Sequence, residues 1–167
     1  MNVHILGIPG SLRRASHNRS LLRAAGRLLP EAATLEIADI SDLPLYNWDV
    51  EQESGFPKPV QRFRDQIAAA DGLLFSTPEY NYSMPGALKN ALDWASRASD
   101  NRLLAGKPAA ILGSGGGMGT SRAQYHLRQV CVFLDLRLLN KPEVFVNAFA
   151  GNFDEQGNLT GEKIQQL

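Results

Sequence analysis

The stretch from Gly72 to Trp94 leaves the chain few ways to fold. Leu73, Leu74 and Phe75 form an apolar run long enough only for a buried strand. Pro78 and Pro85 bracket the segment after this run. Proline fixes φ and lacks an N–H, so neither a continued strand nor an early helix can cross that segment. From Gly86 onward, apolar residues recur at Leu88, Ala91, Leu92 and Ala95, a helical spacing. The reading is a strand, a rigid loop and a helix. In an open parallel sheet, ligands sit at the carboxyl ends of strands, where such loops lie. This loop carries Glu79-Tyr80-Asn81-Tyr82, a polar and aromatic patch that a plain connection does not need.

The same alternation runs along the whole chain. Val3 to Ile8 reads as a central parallel strand, followed by a helix with Leu21, Leu22, Ala25, Leu28 and Leu29 on one face and Ser16 or Asn18 as its cap. Leu35 to Ala38 is a second strand, and residues 40–57 read as one long loop. A helix over Pro59–Ala70 leads to the strand Gly72–Ser76. Lys107–Leu112 is a fourth strand, 113–121 a glycine loop and Arg122–Asp135 a helix. Leu138-Leu139 and Val144–Val146 are expected to form one fifth strand, interrupted at Pro142, and Gly161–Leu167 a last helix. Alternating strands and helices imply a parallel sheet covered on both faces. The expected fold is α/β, a flavodoxin-like three-layer sandwich with five strands in the order 2-1-3-4-5, as a single domain over residues 1–167.

Composition removes several classes. Seventeen Lys and Arg balance seventeen Asp and Glu, for a net charge of +0, which argues against a nucleic-acid partner. No apolar run reaches membrane-spanning length and no basic-then-apolar leader opens the chain, so a cytoplasmic location is expected. Cys131 is the only cysteine, which rules out an intrachain disulfide and a cysteine zinc cluster. His4, His17 and His126 are too dispersed in sequence to suggest a metal site, and no catalytic side chain is called for by any spacing.

Two further loops carry chemistry. Gly10-Ser-Leu-Arg-Arg-Ala-Ser-His-Asn-Arg19 joins the first strand to the first helix. Free N–H groups at a helix N-terminus attract phosphate, with Ser11, Ser16, Asn18 and Arg13 as added donors. A capped turn with surface arginines fits the same residues, but no acid occurs before Glu31, which favours an anion. The loop is neither a Walker loop nor G-x-G-x-x-G. The glycines of 113–119 permit close backbone approach to a flat ligand or left-handed turns, and taken alone they fit a flexible loop equally well. With the strands in the order 2-1-3-4-5, three neighbouring loops offer a phosphate cradle and edges for a planar ring. That combination describes an FMN site.

Gly10-Ser-Leu-Arg-x-x-Ser-x-Asn18, Thr77-Pro-Glu-Tyr-Asn-Tyr-Ser-x-Pro-Gly86, Leu88-Lys-Asn-Ala-x-Asp-Trp94 and Arg122-x-Gln-Tyr-His-Leu-Arg128 resemble the NADPH-dependent FMN reductase family, on the branch of bacterial quinone and chromate reductases. The resemblance spans nearly the whole chain. It implies bound FMN, NADPH or NADH as co-substrate, and two-electron reduction of quinones or of chromate, azo or nitro compounds. By resemblance, Ser11, Arg13, Ser16, His17 and Asn18 hold the phosphate. Pro78, Glu79, Tyr80, Asn81 and Tyr82 border the ring, and Ser114, Gly115 and Gly116 close its other edge. The family usually carries a longer last helix than Gly161–Leu167 can make.

The resemblance also implies a homodimer or homotetramer, with Tyr125 and Glu143 as hydrogen-bonding groups at a second interface; a solvated tyrosine and a surface acid fit the same residues equally. The apolar Leu43, Leu45, Tyr46 and Trp48 of the long loop point independently to a subunit boundary. Two other classes compete. A flavodoxin-like electron carrier would carry an acidic docking surface, which a net charge of +0 does not supply. A receiver-type regulatory domain would need an acidic cluster after the first strand, and none is present.

Overall fold

A computed structural model describes residues 2–97 and 102–166 of the chain. Its apolar runs become the strands β1 (Val3–Pro9), β2 (Ala33–Ile37), β3 (Gly72–Ser76), β4 (Pro108–Gly115), β5 (Arg137–Leu138) and β6 (Val144–Asn147). Its helical repeats become α1 (His17–Leu28), α3 (Lys58–Ala69), α4 (Gly86–Ala95) and α5 (Ser121–Phe133), and two shorter helices, α2 (Trp48–Ser54) and α6 (Glu162–Gln165), complete the set. All pairings are parallel, in the order β2-β1-β3-β4-β5, with β6 also on β4. This is the flavodoxin-like sheet expected.

The expected fifth strand is two strands. β5 pairs with the start of β4 at Pro108 and Ala109, and β6 pairs with its end from Leu112 to Gly115. Pro142 lies between them and cannot donate to a ladder, so the edge is filled in two pieces. Pairing with β6 also draws Gly113, Ser114 and Gly115 into β4, so the glycine loop is shorter than its sequence suggests.

Alternate strand residues face opposite ways. Leu6, Ile8, Leu73, Phe75, Ala109 and Ile111 form one core with Phe63 and Ile67 of α3, Leu88 and Leu92 of α4, and Leu127 and Cys131 of α5. The other face is thinner. Leu21 and Ala24 of α1 pack with Val146 and Leu159, but α6 has only four residues. Leu28, read from the sequence as core-facing, is 57% exposed. It borders an apolar groove of about 350 Å³ lined by Leu74, Ala110, Leu112 and Ile164. Leu167, the end of the expected last helix, lies outside the described residues.

The long loop at 40–57 is not all loop. Asn47 accepts from the Asp49 N–H at 2.9 Å and caps α2, whose first turn carries Asp49 and Glu51 on the favourable side of the helix dipole. The preceding segment is strapped to α4. Pro44 O accepts from Trp94 Nε1 at 2.8 Å and Asn90 Nδ2 at 2.9 Å, and Asn90 Oδ1 accepts from the Tyr46 N–H at 2.8 Å. Leu43 packs on the core and Tyr46 meets Trp94 edge-on, so only Leu45 and Trp48 of the apolar set stay exposed. No helix among the described residues is long and apolar enough to cross a membrane.

Candidate flavin site

The three chemistry-bearing loops meet at the carboxyl edge of β1, β3 and β4. Gly10 N donates to Ser76 O at 2.7 Å, and Thr77 N donates to Leu112 O at 3.0 Å, which ties each loop to the next strand. A side chain on Gly10 would come within 3.0 Å of Pro78 Cδ. At Gly113 it would meet Thr120 Oγ1 at 2.2 Å and Thr77 O at 2.3 Å. These glycines are therefore demanded by packing between loops. Gly116 and Gly117 differ: nothing lies within 4 Å of a Cβ there, so their backbone borders open space.

Asn18 joins the three loops. It is 3% exposed. Its Oδ1 accepts from Ser114 N at 2.8 Å and from Ser76 Oγ at 3.1 Å, and its Nδ2 donates to Ser114 O at 2.9 Å. The side chain read as a phosphate donor is thus occupied by β3 and β4. Its backbone N–H, like that of His17, has no acceptor among the described residues, since Ser16 Oγ takes the Arg19 N–H and Ser16 O the Ser20 N–H. Ser16, rather than Asn18, is the cap of α1. Ser11 is buried and accepts from the Arg13 N–H at 3.4 Å, whereas the Arg13 side chain is exposed.

Glu79 also has a role the sequence did not disclose. Its Oε2 accepts from the Arg122 and Ala123 N–H groups, each at 3.1 Å, so it caps α5 in place of Thr120. Its Oε1 takes Arg122 Nε at 2.6 Å, and the Arg122 guanidinium lies 3.7 Å over the Tyr82 ring. Reciprocal bonds between Tyr80 and Ser83 close a two-residue turn, with Asn81 at φ 49° and Tyr82 at φ 65°. A positive φ at tyrosine is costly, and the clamp to Arg122 holds it. Ser83 Oγ lies 2.9 Å from His126 Nδ1, a second tie to α5. The result is a rigid turn that presents Tyr80 and Tyr82 to solvent, 48% and 67% exposed.

The residues fit FMN on two counts. Ser114 Oγ is buried with no partner among the described residues, a polar group left for a ligand. Unpaired N–H groups at the start of α1 supply the cradle a phosphate needs. No three His, Cys, Asp or Glu side chains among the described residues are grouped to hold a metal ion. Burial pushes the Cys131 thiol up to about 12, which leaves it unreactive. Glu143 and Tyr125 meet within one subunit; the hydrogen bond from Lys141 at 2.6 Å, then the charges of Lys141 and Arg128 and last a bond from Tyr125, hold the Glu143 carboxyl below its ordinary value.

Residues 3–151 match the sequence profile of NADPH-dependent FMN reductases. The chain belongs to that family. It is 56% identical to an NAD(P)H-dependent FMN reductase of Pseudomonas aeruginosa, across 99% of this chain and 89% of that protein. It is 48% identical to an NAD(P)H:quinone oxidoreductase of Solanum tuberosum, across 98% and 86%. Among solved structures, FerB, a flavoenzyme NAD(P)H:(acceptor) oxidoreductase from Paracoccus denitrificans, superposes with a TM-score of 0.87 at 33% identity over 98% of this chain and 92% of its own.

Two measurements check the geometry of this flavin reductase. Asn18→Ala strips three hydrogen bonds from buried groups, at about 3 kcal/mol in all. Melting should fall by roughly 6–12 °C in a domain of this size, read by calorimetry. An unchanged melting temperature would show that the network is dispensable. The second concerns His17, stacked 4.1 Å from Phe153. Burial, then the Arg13 charge, holds its imidazole below the ordinary value. The unfolded chain then takes up that proton more readily than the folded one, so the contribution is present above about pH 6.5 and is lost as the pH falls from there toward the lowered value. In flavin-free protein, melting should drop more steeply between about pH 7 and 5.5 in the parent than in His17→Asn.

Proposed function

We propose that this chain binds FMN at the carboxyl edge of its sheet and uses NAD(P)H to reduce quinones by two electrons. The observation that carries this reading is the convergence there of the unpaired N–H groups of α1, the unpartnered Ser114 hydroxyl and the bare Gly116–Gly117 edge. Bound FMN supplies the hydride chemistry, so that NAD(P)H, a proton and a quinone yield NAD(P)⁺ and a hydroquinone. The protein's part is to bind and orient. Ser11, Arg13, Ser16, His17 and Asn18 hold the phosphate, the last two through backbone N–H groups. Pro78, Tyr80, Asn81 and Tyr82 border the ring from a turn that Glu79 keeps rigid. Ser114, Gly115 and Gly116 close the other edge. No side chain is needed as an acid or base.

The exposed tyrosines leave room for several flat or small acceptors, so chromate, azo and nitro compounds join quinones as candidates. Residues 1–167 act as one domain, in the cytoplasm, where a free cysteine such as Cys131 stays reduced. The assembly is a homodimer or homotetramer. Support comes from apolar side chains left in water, among them Leu45 at 83%, Val132 at 79% and Phe133 at 76% exposure. An electron carrier is disfavoured by the net charge of +0, which offers no acidic docking face.

The visible spectrum of purified protein tests the function. Flavin bands should bleach on anaerobic NADPH addition and return with a quinone. A colourless protein that FMN does not bind would overturn the reading. The phosphate assignment has its own test in Arg13→Ala. Loss of a charge-assisted bond should weaken FMN binding roughly ten- to hundredfold, while Arg14→Ala should change it little. Equal FMN affinity in Arg13→Ala and the parent would remove Arg13 from the site.

A further inference from the structure

After β6 the chain turns back along the carboxyl edge. Ala148 N donates to Gly115 O at 2.7 Å, so this segment starts beside the third loop. It continues into a hairpin over 152–160. Phe153 and Leu159 pair across it, Asp154 N donates to Asn158 O at 3.0 Å, and Gly157 N donates to Asp154 O at 2.9 Å. The Asp154 carboxylate accepts from the Asn158 N–H at 2.7 Å and from Asn158 Nδ2 at 3.0 Å. Gly157 takes φ 77°, which glycine adopts without strain. These bonds fix the shape of the hairpin, and two apolar side chains fix its place. Leu159 packs on Leu21 and Ala24 of α1. Phe153 stacks on His17, with ring centroids 4.1 Å apart and planes inclined by 5°.

His17 is the first residue of α1, and its backbone N–H is one of the unpaired groups of the cradle. A protonated ring is disfavoured there while the cradle is empty. The helix N-terminus repels a cation, and burial, then the Arg13 charge, hold the imidazole below its ordinary value. Other charged groups of the packed elements are directed elsewhere. Arg14 and Arg19 line a pocket beside Asp39, Arg23 bonds Ser20 Oγ at 2.7 Å, Asp154 bonds Asn158, and Glu155 is exposed at the hairpin tip. Stacking uses the face of the imidazole and leaves its two nitrogens, which make no hydrogen bond among the described residues, for a ligand. A phosphomonoester is largely a dianion near neutral pH, and an anion beside an imidazole favours the protonated ring. We infer that Phe153 is a positioning residue: its stack holds the His17 imidazole at the cradle, where the ring takes a proton from solvent as the FMN phosphate binds. Flavin binding is then coupled to pH. The free ring is neutral above about pH 6.5, and the anion raises its value in the complex. FMN therefore binds more tightly as the pH falls, and the gain levels off below the lowered value of the free ring. The inference rests on the flavin site proposed above and adds a proton to it.

The test titrates FMN and riboflavin into flavin-free parent, His17→Asn, Phe153→Leu and Phe153→Tyr. Calorimetry between about pH 6 and 7.5, in two buffers of different ionisation enthalpy, gives the protons bound per flavin. The phosphate's own titration is common to all four proteins, so His17→Asn serves as the baseline. The parent should take up more protons with FMN than His17→Asn, and should gain roughly tenfold in FMN affinity over it from the alkaline to the acid end. Phe153→Tyr should match the parent, and Phe153→Leu should behave as His17→Asn does. Riboflavin, which has no phosphate, should take up protons equally in all four. Should Phe153→Leu not fold, Phe153→Met takes its place. Equal proton uptake in the parent and His17→Asn would overturn the inference. So would parental uptake in Phe153→Leu at any affinity, because the hairpin would then only support the fold. A difference that riboflavin shares would also overturn it, by removing the phosphate from the linkage. A parent that binds neither flavin would overturn the function proposed above, and this inference with it.

Discussion

The carboxyl edge of this sheet depends on one buried amide. Asn18 sits at the start of α1, yet its side chain bonds to Ser114, ninety-six residues away, and to Ser76 on the strand between. Buried amides persist only when their donors and acceptors are matched. Here the matching fixes the height of the first loop against the third. Gly10, Gly113 and Gly115 bring the backbones close enough for those bonds, because a Cβ at Gly113 or Gly115 would overlap a neighbour at 2.3 Å or less. Close approach and amide bridge thus occur together at this edge.

A second arrangement holds the ring side. Glu79 leaves the loop's outer surface to neutralise the positive end of α5, and Arg122 spans from that carboxylate to the Tyr82 ring. The left-handed backbone at Asn81 and Tyr82 is thereby kept in place from outside the turn. A rigid aromatic edge results without any side chain having to reach back from the turn itself.

Much of this was legible in the residues. The apolar runs at Val3–Ile8 and Leu73–Phe75 and the repeat at Leu88, Ala91 and Leu92 are local patterns, and local patterns set strands, helices and the order of a parallel sheet. The loops that gather at one edge follow from that order. What stayed hidden depends on partners distant in sequence. Asn18 and Glu79 were placed near the site by type and position, but which groups they bond is set by Ser114 and by the first turn of α5. The split of the last strand depends on which part of β4 each piece pairs with, and the sequence marks only the break at Pro142. In the segment at 40–57, Asn47 is a fair capping signal ahead of Asp49 and Glu51, and it could have revealed α2.

The uneven covering of the two sheet faces bears on the lifetime of the protein without its cofactor. One face is sealed by three helices, and the other by α1 and a four-residue α6 over an open apolar groove. Local opening favours the layer with the smaller buried apolar cluster, which here is the one α1 shares with α6. The N-terminus of α1 is half of the phosphate cradle proposed above, so the layer that loosens first would be the one a bound cofactor grips. Flavin would then act as a fastener on the weak layer. Cells short of flavin would hold less of this protein because the empty form is cleared sooner, even with synthesis unchanged.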